Sequence, residues 1–132
     1  MANTTKTRQF TITLENRPGA LAEVARTLGN AKVNILALLG TAQGTSGAVE
    51  LVVEDTRRAK KALEEAKVTY IETTAEEHEL PNKPGALAEC LERLAARGVN
   101  LNSICATVSK GGKKAVVVCR SEAAAQKVAP AA

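Results

Sequence analysis

Residues 9–15 read QFTITLE, apolar and polar side chains in alternation with Phe10, Ile12 and Leu14 on one side, which predicts a half-buried β-strand. The period then changes. Leu21, Val24, Ala25 and Leu28 fall at i, i+3, i+4 and i+7, the stripe of an amphipathic helix. Pro18 is placed to open that helix, because its missing N–H would have no intrahelical partner in a first turn, and Gly29-Asn30 closes it. Two β-rich runs, 33–42 and 48–53, flank the hairpin loop QGTSG. Asp55 then caps a helix with Ala59, Ala62, Leu63 and Ala66 on its apolar side, and residues 68–71 supply a last strand. The order is βαββαβ. Two βαβ-type crossings on one sheet put both helices on the same face, a ferredoxin-like α+β fold.

The pattern then starts again. Residues 15–34 read ENRPGALAEVARTLGNAKVN and residues 81–100 read PNKPGALAECLERLAARGVN. Pro18 and Pro84 set an offset of 66 residues that also superposes Asn16 on Asn82, Gly19 on Gly85, Leu28 on Leu94 and Asn34 on Asn100. The same offset carries Asp55 onto Ser121, another N-cap residue, so the register is expected to hold through the hairpin into a further helix. Two units follow, 1–72 and 73–132, the second without its last strand because the counterpart of Val68 falls beyond Ala132. The join at residues 68–80, VTYIETTAEEHEL, has no Gly or Pro, so the last strand of one repeat is expected to run directly into the first strand of the next.

Composition narrows the function. Hydrophobic residues are 45% of the 132 and charged ones 24%, the balance of a folded chain. One Phe, one Tyr and no Trp leave nothing to stack on bases, and the net charge of +4 comes from lysines and arginines mixed with acids along the helices. No nucleic-acid or membrane partner is expected, and with neither a leader-like stretch nor an apolar span the expected compartment is the cytoplasm. Cys90, Cys105 and Cys119 form no C-x-x-C pair and have no His at ligand spacing, so they read as small buried hydrophobes and no metal is expected. His78, the one histidine, sits in the charged stretch EEHEL and reads as an exposed strand position. With no Ser/His/Asp set, no catalytic residue and no cofactor are expected.

What is repeated suits recognition. The loops Asn16-Arg17-Pro18-Gly19 and Asn82-Lys83-Pro84-Gly85 each join a strand to a helix N-terminus, where unpaired backbone N–H groups favour a carboxylate. An Asn amide both donates and accepts, so Asn16 and Asn82 suit an amino acid's ammonium and carboxylate together. The alternative is structural: Pro and Gly shape the turn, while Asn braces it. Asn34 and Asn100, opening the second strand of each repeat, carry the same two readings.

Two copies of N-[RK]-P-G-A-L-A-E followed by an apolar helix and V-N-[IL] resemble the ACT domain, across nearly the whole chain, and the tandem arrangement is similar to double-ACT proteins of the amino-acid-binding type. The resemblance implies two units side by side in a continuous antiparallel sheet with effectors bound at the seam. It also implies the pairing of Asn16 with Asn100 in one site and Asn82 with Asn34 in the other. Serine-responsive members place a His two residues before the loop Asn, where this chain has Leu14 and Leu80, so serine specificity does not transfer. The edge left by the missing strand calls for a partner chain or for residues 4–8.

The reading is a non-catalytic regulatory module sensing an amino acid; the alternative is a regulatory or scaffolding subunit of a larger enzyme of amino-acid metabolism. Leu36, Leu38, Val52, Val116 and Val118 are expected to form an apolar outer sheet face through which two chains stack as a homodimer.

Overall fold

The structure is a computed structural model and describes residues 3–108, 111–121 and 126–128. Its elements run β1 (Asn3–Glu15), α1 (Ala20–Asn30), β2 (Ile35–Gln43), β3 (Ser46–Val53), α2 (Thr56–Glu65), β4 (Ile71–Pro81), α3 (Ala86–Ala96), β5 (Leu101–Thr107), β6 (Lys114–Ser121) and β7 (Gln126–Val128). The fold is α+β with the ferredoxin-like repeat. Strand β4 is unbroken, so the end of one repeat does run into the start of the next. The chain divides into two compact units. One takes Arg8–Thr73 and the strand β7; the other takes residues 3–7 and the described residues from Thr74 to Ser121.

In the first unit β3 lies between β2 and β1, antiparallel to both, and β7 pairs with Ile71–Thr73 at the start of β4. The alternation of QFTITLE puts Phe10 and Ile12 on the face that Val49, Leu51 and Val53 share. Val24 and Leu28 of α1 and Ala59, Ala62 and Leu63 of α2 close over that face in one core. Tyr70 meets Phe10 edge to face, ring centroids 5.2 Å apart, and its hydroxyl donates to Glu64.

Two helix boundaries follow backbone needs that the apolar stripe does not show. Helix α1 begins at Ala20, not Pro18, because Gly19 serves as its N-cap in the left-handed region at φ 88°, and Gly85 does the same for α3 at φ 86°. A side chain there costs about 1–2 kcal/mol. After Asn30 the left-handed residue is Lys32, φ 63°, where the second unit has Gly98. Asp55 caps α2 as expected, accepting from the Arg58 N–H.

In the second unit β6 lies between β4 and β5, with α3 covering Leu80, Val117 and Cys119 through Cys90 and Leu94. The offset does not survive the hairpin. Phe10 pairs with Leu51 whereas Glu76 pairs with Cys119, so the offset grows from 66 to 68 and the second hairpin is two residues longer. Ser121 is consequently the counterpart of Val53, a strand residue paired with Leu101, and not of the cap Asp55. The helix expected after it falls partly on residues outside those described, and 126–128 form a strand. Residues 3–7 join this unit, Thr4 Oγ1 lying 3.0 Å from His78 Nδ1, so the chain's own N-terminal segment stands where a covering strand was required.

His78 is buried, 4% exposed, not an exposed strand position. At the offset of 66 it takes the place of Ile12, facing the helical layer. The outer apolar face is also drawn differently. A bulge between Ile35 and Ala37 shifts the alternation, so Leu38 pairs with Leu51 and shares the helix side, while Ala37 pairs with Val52 on the other. Val52 and Val118, each on a strand flanked on both sides, are buried. Leu36 and Leu38, on the outer strand β2, are 53% and 40% exposed.

Candidate ligand groove

The repeated loop holds a repeated groove. In the first unit Leu14, Leu21, Ala48 and Val49 floor a cavity of about 270 Å³, with Asn16 and Arg17 on one wall and Gly40, Thr41 and Ala42 on the other. In the second unit Leu80, Leu87, Ala115 and Val117 floor one of about 400 Å³, between Asn82 and Lys83 on one side and Ala106, Thr107 and Val108 on the other. Most lining positions correspond, at 66 before the hairpin tip and 68 after it, with Ala115 in the place of Gly47; Ala48 lines only the first groove and Ala86 only the second. Leu21 and Leu87, though on the apolar stripe of their helices, remain 39% and 41% exposed and form the groove side of α1 and α3. Apolar floors with a few polar groups at the rim are the usual make-up of small-ligand sites.

Each loop asparagine is tied to the hairpin opposite. The Asn16 Nδ2 donates to the Gly44 carbonyl at 2.8 Å and its backbone N–H to Thr45. Asn82 repeats both bonds, to the Gly112 carbonyl at 2.8 Å and to Lys113. The amides brace the two walls of the groove, and the brace commits one donor of each side chain. Arg17 stands at the rim between Glu15 and Glu23, at 3.2 and 2.9 Å. The Glu23 bond and charge, with Glu15 behind them, raise its pKa despite some desolvation, so it is a fixed cation. Pro18-Gly19 and Pro84-Gly85 turn the chain into α1 and α3. Gly47 lets the hairpin wall close, since a Cβ there would stand 2.9 Å from the Thr41 carbonyl oxygen.

Asn34 and Asn100 lie elsewhere. Asn34 precedes β2, nine residues long, and Asn16 sits at its far end, roughly 30 Å away at strand rise. The Asn34 side-chain amide donates to the Glu54 carboxylate at 3.2 Å, and the Asn34 backbone carbonyl accepts the Glu54 N–H. Asn100 precedes β5 in the same way. Neither unit brings its own two asparagines together; Asn16 and Asn100 belong to different units, as do Asn82 and Asn34.

The hairpin walls, Gly40 to Ala42 and Ala106 to Val108, were not singled out from the sequence. The signal was present, because a strand-to-helix loop in this topology faces the β2–β3 hairpin, but only the register shows which residues lie opposite. The first unit also has a broader cleft of about 640 Å³ between α1 and residues 66–71, lined by Arg17, Glu23, Thr27, Lys67 and Tyr70 among others.

A search of the curated proteins finds no match. The family model of the ACT domain matches residues 8–68. Among solved structures, protein BT0572 from Bacteroides thetaiotaomicron is 31% identical, covering 90% of this chain and 81% of its own, with a TM-score of 0.81. The regulatory subunit of aspartate kinase from Thermus thermophilus is 16% identical over 89% of this chain and 85% of its own, TM-score 0.67. That from Thermus flavus is 16% identical over 90% and 85%, TM-score 0.59. The latter two show the fold alone. With the motif present in both units, the chain belongs to the ACT-domain family.

Proposed function

We propose that the protein is a non-catalytic regulatory module that binds an amino acid at the grooves beneath Asn16-Arg17-Pro18-Gly19 and Asn82-Lys83-Pro84-Gly85. One observation carries the reading: the same groove, with an apolar floor, an asparagine brace and a basic residue at its rim, recurs in both units. A cation and a helix N-terminus suit a carboxylate; a floor of Leu, Ala and Val suits an aliphatic side chain. Volumes near the lower end of ligand pockets favour a small metabolite over a nucleotide. Asn34 and Asn100 form a second candidate set. We further propose that the protein acts by association, either with a second copy through Leu36 and Leu38 or with an enzyme of amino-acid metabolism that it regulates.

Isothermal titration with the free amino acids tests the binding claim. Saturable binding that Arg17→Met and Lys83→Met weaken tenfold or more, with unchanged circular dichroism, is the expected result. Undiminished binding in the double variant refutes the assignment of the grooves, and retention in Asn34→Ala with Asn100→Ala removes that second set.

A further inference from the structure

The second unit departs from the first at one cluster of core positions. Phe10, Ile12, Val24 and Leu51 pack together in the first unit. Their counterparts are Glu76, His78, Cys90 and Cys119, by the offset of 66 for the first three and by the Phe10–Leu51 and Glu76–Cys119 pairings for the last. Four apolar positions have become four side chains that can ligate a metal. His78, Cys90 and Cys119 are 4%, 1% and 3% exposed. Cys90 and Cys119 still pack in that core, but a buried imidazole beside a carboxylate adds nothing to it.

The geometry fits an ion. A carboxylate oxygen of Glu76, a ring nitrogen of His78 and the Cys119 sulfur lie within 4.8 Å of one another. A tetrahedral zinc with bonds of about 2.0–2.3 Å holds its donors roughly 3.3–3.6 Å apart, so small side-chain rotations bring the three into place. Two of the three ligands are already oriented from behind. Thr4 Oγ1 lies 3.0 Å from His78 Nδ1, and Arg97 donates to the outer Glu76 oxygen at 3.1 Å, leaving Oε1 turned to His78 Nε2 at 3.0 Å. Outer partners of this kind are the usual surroundings of metal-bound His and carboxylate.

We propose that Glu76, His78 and Cys119 form a binding site for a soft-to-borderline divalent cation of the zinc class, with Cys90 adjoining it and the half-buried Glu76 facing the route of entry. Thiolate, imidazole and carboxylate together select zinc over magnesium or calcium. Binding moves the imidazole proton from Nε2 to Nδ1, where the Thr4 hydroxyl turns to accept it, and releases the Cys119 thiol proton to solvent. The thiolate and the Glu76 carboxylate then balance the two charges of the ion, with the exposed Arg97 outside them. The topology makes this site, since β4 and β6 bring together residues 41 or more positions apart that show no ligand spacing in the sequence.

Titration of the reduced protein with Co²⁺, a spectroscopic stand-in for zinc, tests the proposal. The expected result is a thiolate-to-cobalt charge-transfer band saturating at one equivalent, displaced by Zn²⁺, retained in Cys105→Ala and absent in Cys119→Ala. No band, or a band unchanged in Cys119→Ala, overturns it. Because Cys119→Ala opens a core position, Thr4→Val supplies a second reading: it removes only the partner of Nδ1 and is expected to weaken Co²⁺ about tenfold, whereas unaltered affinity counts against the site.

Discussion

Glu72 is 4% exposed and accepts from Arg8 Nε at 2.8 Å and Lys60 Nζ at 3.0 Å. Glu72→Gln keeps the shape but leaves two cations facing a neutral amide. A charge-assisted hydrogen bond contributes about 1.5–3 kcal/mol; Arg8 and Lys60 are about a third exposed, which screens the pair toward the lower end, so the two bonds together predict a loss of about 2–3 kcal/mol. For a chain of this length that lowers Tm by roughly 6–12 °C. The pH dependence adds a second test. Burial works against ionisation, but the hydrogen bonds and charges of Arg8 and Lys60 outweigh it and hold the carboxyl below its ordinary value. A carboxyl lowered on folding gives stability that is fully present above the unfolded pKa, about 4.3, and is lost as pH falls through the folded value. Urea unfolding at pH 7 and at steps down to pH 3 reads both. The gap between wild type and Glu72→Gln narrows as pH falls below about 4.3; a gap under about 0.5 kcal/mol at pH 7, or one that does not change with pH, refutes the reasoning.

Other substitutions probe the frame of the grooves. Lys32→Gly, relieving a left-handed residue where the second unit has Gly98, is expected to raise stability by about 0.5–1 kcal/mol in chemical denaturation. Gly85→Ala, at φ 86°, goes the other way by about 1–2 kcal/mol. Asn16→Ala and Asn82→Ala each remove a brace to the hairpin and cost about 0.5–1.5 kcal/mol; Asn16→Asp costs more, since a carboxylate cannot donate to the Gly44 carbonyl, and hydrogen exchange at the backbone N–H of residue 16, which donates to Thr45, rises with it. Phe10→Ala, emptying a fully buried site under both helices, costs about 3–5 kcal/mol by calorimetry.

The repeat and its strands and helices were legible because Phe10, Ile12, Leu14, Val24 and Leu28 carry both periods plainly. The helix starts were not, because Pro18 satisfies the rule for a first turn while Gly19 meets a backbone requirement that no hydrophobic pattern records. The longer second hairpin was hidden for a related reason: the matched stretch fixes the offset only ahead of the tip, and two added polar residues there leave the strands looking the same. His78 was misread from its charged neighbours, although the offset to Ile12 already placed it inside. The loop asparagines were found by the repeat, but their bonds to Gly44 and Gly112 depend on a register between distant strands. The same holds for Cys119 beside His78.

The central claim is that the repeated groove binds an amino acid, and thermal unfolding against a panel of free amino acids tests it most directly. A ligand that binds only the folded protein stabilises it by about 2.7 kcal/mol at a hundredfold excess over Kd. The account predicts a rise in Tm with one or a few aliphatic amino acids, reduced when Arg17→Met and Lys83→Met are combined and measured against that variant's own baseline. No rise with any amino acid, or an equal rise in the variant, contradicts it.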